Sequence, residues 1–260
     1  MHRPGYATGF LLAPIVFAFV FGALACTNKA PEQTLLDRFF TASKYRDHVT
    51  LGGIALVGVE GIVENFSVVS VGEEQSVPLH LKELSAQLQE AVRADTEYGK
   101  QMNAYRDSHA DAITRVLEAE AKNRKLAGKD AVIQTEWNTW RDGQKVSSKK
   151  VSEAREKTAG ERAIAYLSIH QGLARAAMGD LIDVTAYDGR IVSKDYTISA
   201  NIITQSNPPV TKTLVVTLQR VVLHDPDGRV PLVPGRSEKG DISGKWIITM
   251  IKDATAGATS

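Results

Sequence analysis

The chain has 260 residues, 43% hydrophobic and 23% charged, with a formal net charge of +1 and a mean hydropathy of −0.16. Near-neutrality argues against a nucleic-acid protein, which needs a dominant basic face. The single cysteine, Cys26, rules out an internal disulfide, a cysteine-based metal cluster and a Cys–Cys redox pair.

Met1 to Ala25 opens with His2 and Arg3, continues in an apolar run from Phe10 to Leu24 and ends in small residues, the pattern of a secretory signal peptide. The run is short for a membrane span and holds Pro14. Its end, Ala23-Leu24-Ala25-Cys26, resembles the lipobox of bacterial lipoproteins, although Ala23 stands where Leu is usual. The resemblance implies cleavage before Cys26, acylation of that cysteine and stable membrane attachment, since each buried methylene adds about 0.8 kcal/mol. Ordinary secretion and a retained anchor are the alternatives. Cys26 to Gln33 then reads as a lipidated tether. Thr27 is not the Asp associated with inner-membrane retention, which favours the outer membrane. Without Arg3 the chain carries 30 basic and 30 acidic side chains.

Thr34 to Ser43 is predicted as the first helix, with Thr34 as its N-cap and Leu35, Leu36, Phe39 and Phe40 on one side. A second short helix ends at Leu51, stopped by Gly52 and Gly53. Ile54 to Val59 and Ile62 to Val71 are predicted as a β-hairpin turning at Glu60-Gly61.

From Val77 to Gly179 the sequence reads as helix. Pro78 suits an opening turn. A heptad seam follows: Leu81, Leu84, Leu88, Ala91, Tyr98, Met102, Tyr105, Ala112, Val116, Ala119 and Leu126, interrupted by Asp95, His109 and Asn123. One helix from Leu81 to Ala127 would be about 70 Å long. Its expected partner is Glu161 to Met178, striped by Ile164, Leu167, Leu173 and Ala177 and ended by Gly179, which makes a helical hairpin. Gly128 to Gly160 is then the tip, where Trp137 and Trp140 are candidates for a partner or membrane contact. The plainer reading has them cap the hairpin's own small core. The basic excess from Arg141 to Lys157 reads as a solvated surface, with headgroup contact as the alternative.

Leu181 to Tyr187, Tyr196 to Thr204, Lys212 to His224 and Lys245 to Lys252 have strand composition and are separated by turn residues, among them Asp188-Gly189 and Asp225-Pro226-Asp227-Gly228. The expected class is α+β: an antiparallel sheet of about five to six strands, an N-terminal helix and a long inserted helical hairpin. The sheet domain takes residues 34–76 and 180–255, and the hairpin residues 77–179. The opening Leu35-Leu36-Asp37-Arg38-Phe39-Phe40-Thr41-Ala42-Ser43 with Arg46-Asp47, and the closing Gly244-Lys245-Trp246-Ile247-Ile248, resemble the nuclear-transport-factor-two-like (SnoaL-like) superfamily. That resemblance implies a cone-shaped fold with a small apolar pocket between sheet and first helix, lined here by Phe39, Phe40, Tyr196 and Trp246. The same aromatics read more simply as core.

His48, His80, His109, His170 and His224 are scattered without metal-ligand spacing, although His109 and His170 lie on the two arms and would form a site if they met. Asp225 and Asp227 suit a turn better than a calcium loop. No nucleophile elbow or phosphate-cradling glycine loop occurs. The expectation is therefore a non-catalytic envelope lipoprotein without cofactor, acting as a scaffold through its hairpin toward an envelope protein or a second copy of itself. The alternative is a small-ligand module of the nuclear-transport-factor-two-like kind.

Overall fold

The computed structural model describes residues 30–170, 182–204, 208–225 and 240–254. The signal segment, Cys26, Leu173, Ala177, Gly179 and Asp227 lie outside those residues. The protein is α+β, with an antiparallel six-stranded sheet.

Helix α1, Pro31–Lys44, starts with Pro31 in its first turn, where the missing N–H leaves no bond unmade. Thr34 is therefore inside the helix and not its cap: its hydroxyl donates to the Ala30 carbonyl at 3.4 Å. Arg46 turns the chain at a φ of 54°. Asp47 then caps α2, His48–Ile54, by accepting from the Thr50 N–H at 3.0 Å; hydrogen bonding from the Thr50 side chain, and then from its N–H, holds the Asp47 carboxyl below the usual range. Gly52 and Gly53 do not stop this helix. Ile54 ends it, buried, and the strand expected from Ile54 to Val59 is absent. Only Ala55 bridges to Ile248, while Val57 and Val59 pack on the core from an irregular segment.

Strands β1 (Ile62–Val71) and β2 (Gln75–Leu79) lie end to end along one side of β3 (Gly189–Ile203). Pro78 therefore sits in an edge strand, paired with Arg190, where its missing N–H faces no neighbour, and not in a helix. On the other side β3 pairs with β4 (Val210–Leu223) in unbroken register from Gly189 opposite Leu223 to Ile202 opposite Val210. β5 (Ile242–Ser243) and β6 (Ile247–Asp253) share the outer side of β4. Of the segment expected as a strand before β3, Val184–Ala186 is a single 3-10 turn.

Alternation along β3 and β4 separates two cores. Tyr196, Ile198, Ala200 and Ile202, with Leu214, Val216 and Leu218, face Leu35, Leu36, Phe39 and Phe40 of α1 and Ile54 of α2. Ile191, Val221 and Leu223, on the opposite face near the other end of the sheet, pack on the helices that follow β2. Each fully buried side chain of this size contributes about 1.5–3 kcal/mol.

Gly61 marks the approach of the 55–61 segment to β3. Its φ is +86°, and a Cβ there would lie 2.6 Å from the Ile203 carbonyl oxygen. Gly61→Ala is expected to cost about 2 kcal/mol or more through left-handed strain and this clash, read as a lower urea midpoint with an unchanged slope.

Candidate functional site: the helical hairpin

Between β2 and β3 run α3 (Leu81–Ser108), α4 (Ala110–Ala121) and α5 (Gly128–His170). At 1.5 Å per residue, α3 is about 42 Å long and α5 about 65 Å. They lie antiparallel, and polar rungs mark their register. Glu161 accepts from the His80 N–H at 2.8 Å, and Thr158 donates to the Leu84 carbonyl at 3.4 Å. Asp95 accepts from Gln144 at 2.8 Å and Ser148 at 3.1 Å. Tyr98 donates to the Trp140 carbonyl at 3.3 Å, and Tyr105 to Glu136 at 2.5 Å. Asp95, which interrupts the apolar seam, is thus satisfied by the opposite arm. Burial, and then the bond to Glu136, push the Tyr105 phenol up to about 12.

The first arm is not one helix to Ala127. It breaks at His109, whose φ of −124° is not helical and whose ring stacks on Tyr105 at 4.3 Å. Past the break α4 swings so that Ile113 and Val116 pack on Trp137. Arg115 forks onto Asp130 at 2.8 and 3.0 Å, and Arg141 onto Glu120 at 2.8 and 3.1 Å. Each arginine holds its carboxylate partner below the ordinary range. Because those pKa values are depressed, the stabilisation is complete above the ordinary carboxyl values of 3.8 and 4.5 and is lost as pH falls through the lower folded values. Hydrogen exchange between pH 6 and pH 3 is expected to show α4 and the start of α5 opening as these carboxyls protonate.

The second arm also differs from expectation. Gly128 to Gly160 is not a tip but most of α5, and the turn lies at residues 122–127. Gly143 lets α3 come close, because a Cβ there would run into the Tyr98 hydroxyl. Trp137 is 7% exposed at the centre of the end cluster, and Trp140 packs beside it on Tyr98 and Tyr105 with ring centroids 5.1 and 5.9 Å away. Both tryptophans belong to the hairpin's own core.

The base of the hairpin is tied to the sheet. Leu81, Ala165 and Ile169 enter the second core with Ile191, Val221 and Leu223. Ser168 accepts from the Val221 N–H at 2.9 Å and donates to the Lys245 carbonyl at 2.8 Å, while its own carbonyl accepts from the Lys245 N–H at 2.9 Å. Gly244 permits this approach, since a Cβ there would lie 2.3 Å from the Ser168 hydroxyl.

His109 and His170 do not meet, because they sit at opposite ends of the hairpin; His170 bonds to the Tyr166 carbonyl at 2.9 Å. Among the described residues no group of three or more His, Cys, Asp or Glu side chains could hold a metal ion. Of the six cations between Arg141 and Lys157, Arg141, Lys145 and Lys149 are paired, with Glu120, Asp142 and Glu153.

Phe39, Phe40, Tyr196 and Trp246 do not line one pocket; all four are buried in the first core. A cleft of about 740 Å³ opens beside them, between the end of α1, α2 and the ends of β1 and β3. Phe39 alone of the four reaches it, with Arg46, His48, Leu51, Val59, Ile62 and Ile203. No signal in the residues marks this place, because the irregular 55–61 segment that forms one wall has strand composition. No described helix is long and apolar enough to cross a membrane. No protein family, curated protein or solved structure matches this chain.

Proposed function

We propose that the protein is an envelope lipoprotein, fixed to the outer membrane by acyl chains on Cys26 and facing the periplasm, that works without catalysis or cofactor by presenting its helical hairpin. The observation that carries this reading is the hairpin's construction: α4, the end of α3 and the start of α5 close a core of their own around Trp137, separate from both cores of the sheet. An arm with an independent core keeps its shape away from the body, which a segment serving only to cover the sheet does not need.

The test uses the full chain in a bacterial host. Cys26→Ser should release it from the membrane fraction. A photo-crosslinker at exposed Val92 or Val132 on the hairpin should capture an envelope component that one at exposed Tyr45, just after α1, does not. Equal capture from both regions, or none from the hairpin, would sink the reading.

The cleft beside Phe39 favours a second reading, a small-ligand module. Its walls are largely apolar, and Arg46 and His48 line it. Dodecanoate is the probe, with heat of binding measured for the wild type and for Val59→Trp. No heat in the wild type, or equal heat in both, removes this alternative.

A further inference from the structure

The end of the hairpin reads Lys122-Asn123-Arg124-Lys125-Leu126-Ala127-Gly128-Lys129, four cations with no acid among them. The turn has a defined shape. Asn123 and Gly128 take φ values of 49° and 59°, and the Arg124 N–H donates to the Ala119 carbonyl at 2.8 Å. Leu126 fixes it from inside by packing on the Trp137 cluster. All four cationic residues are exposed, and none makes an ion pair or side-chain hydrogen bond with another described residue.

The carboxylates flanking the turn are committed elsewhere, Glu120 to Arg141 and Asp130 to Arg115; Glu118 is the next acid back along α4. Helix electrostatics account for Lys122, which follows the last residue of α4, but not for Lys129, because a positive charge in the first turn of α5 opposes the macrodipole. Apolar groups accompany the charge. Leu117 on α4 is 46% exposed and Val132 at the start of α5 is 56% exposed. Cations within two helical turns of exposed aliphatic side chains match an anionic bilayer surface, which offers both phosphate and hydrocarbon. A soluble polyanion would use only the charge.

We infer that the end of the hairpin binds anionic phospholipid headgroups, with Lys122, Arg124, Lys125 and Lys129 on phosphates and Leu117 and Val132 entering the interface. The inference rests on the hairpin being the working element and names what it touches. Each cation near such a surface is worth roughly fivefold in partitioning at moderate salt, and the effect is screened beyond about 8 Å at physiological ionic strength.

Every described element lies in the chain from Thr27 onward, and that chain is the one to test, by co-sedimentation with vesicles of phosphatidylcholine holding about one third phosphatidylglycerol. Binding is expected there and not to pure phosphatidylcholine. Lys122→Gln/Arg124→Gln/Lys125→Gln/Lys129→Gln should lower partitioning by about tenfold or more with unchanged helical circular dichroism. Lys145→Gln/Lys149→Gln/Lys150→Gln, on the shaft, should leave it unchanged. Leu117→Ser/Val132→Ser should weaken vesicle binding and spare heparin binding. If the wild type ignores anionic vesicles, or the four-site variant partitions equally, the inference is overturned. If the Ser pair binds vesicles as the wild type does, the entry of Leu117 and Val132 into the interface is overturned and charge alone accounts for the binding. Protein capture from the hairpin in cells, without vesicle binding, would overturn this inference alone and leave the broader reading standing.

Discussion

Trp137→Ala is expected to unfold the outer end of the hairpin while the sheet stays intact. Truncating a buried tryptophan typically costs about 3–5 kcal/mol, and Ile113 and Val116 are the other buried members of this small cluster. Native-state hydrogen exchange should show amides of residues 98–140 losing protection and those of β3 and β4 keeping theirs. Trp137→Phe should cost much less, because the indole N–H is buried without an acceptor among the described residues and phenylalanine removes that donor. If Trp137→Ala lowered sheet protection to the same degree, the end cluster would not be an independent core.

Phe39→Ala should do the reverse. Phe39 is fully buried, edge-on to Phe40 at 5.1 Å, and Phe40 contacts Phe66 of β1 at 4.7 Å. The expected cost is about 3–5 kcal/mol, with the lost aromatic pairing adding roughly 0.5–1.5 kcal/mol. Against a domain stability on the order of 5–15 kcal/mol, that should lower the melting temperature of the sheet strongly. Helical signal from the hairpin should then melt in a separate step. A single transition at unchanged temperature would show that Phe39 is not central to this core.

The α+β class was legible, and with it the later part of β3 and the middle of β4, because Tyr196, Ile198, Ala200 and Ile202 and Leu214, Val216 and Leu218 recur on a period of two and share one buried face. The seam of α3 was legible for the same kind of reason. The failures have physical causes. Gly52 and Gly53 look like stops, yet Ile54 must reach the core, and its burial carries α2 across them. Gly128 and Gly160 made the stretch between them look like the hairpin's tip, an interior glycine costing about 1 kcal/mol of helix propensity, but packing along α3 holds it in one helix. The break at His109 follows from where Trp137 lies on the other arm, a contact between residues distant in sequence. The same break turned Trp137 and Trp140 from candidate contacts into core and placed the cationic turn at the end. The cleft near Phe39 depends on an apolar segment that is irregular, which periodicity cannot distinguish from a short strand.

One mechanical consequence follows from α5 being unbroken from Gly128 to His170. From Trp137 to Ser168 the rod is about 45 Å long, while its seat on the sheet is one helix diameter wide, about 10 Å. A sideways load near its outer end is therefore multiplied about fourfold at the seat, where Ser168 is bonded to Val221 and Lys245. α3 braces the rod in the plane of the pair through the rungs at Asp95, Tyr98 and Tyr105. Torque across that plane bears on the seat, so the protein has a stiff lever with its fulcrum near Ser168, and a pull at the far end reaches β4 through the bond from Val221 to Ser168.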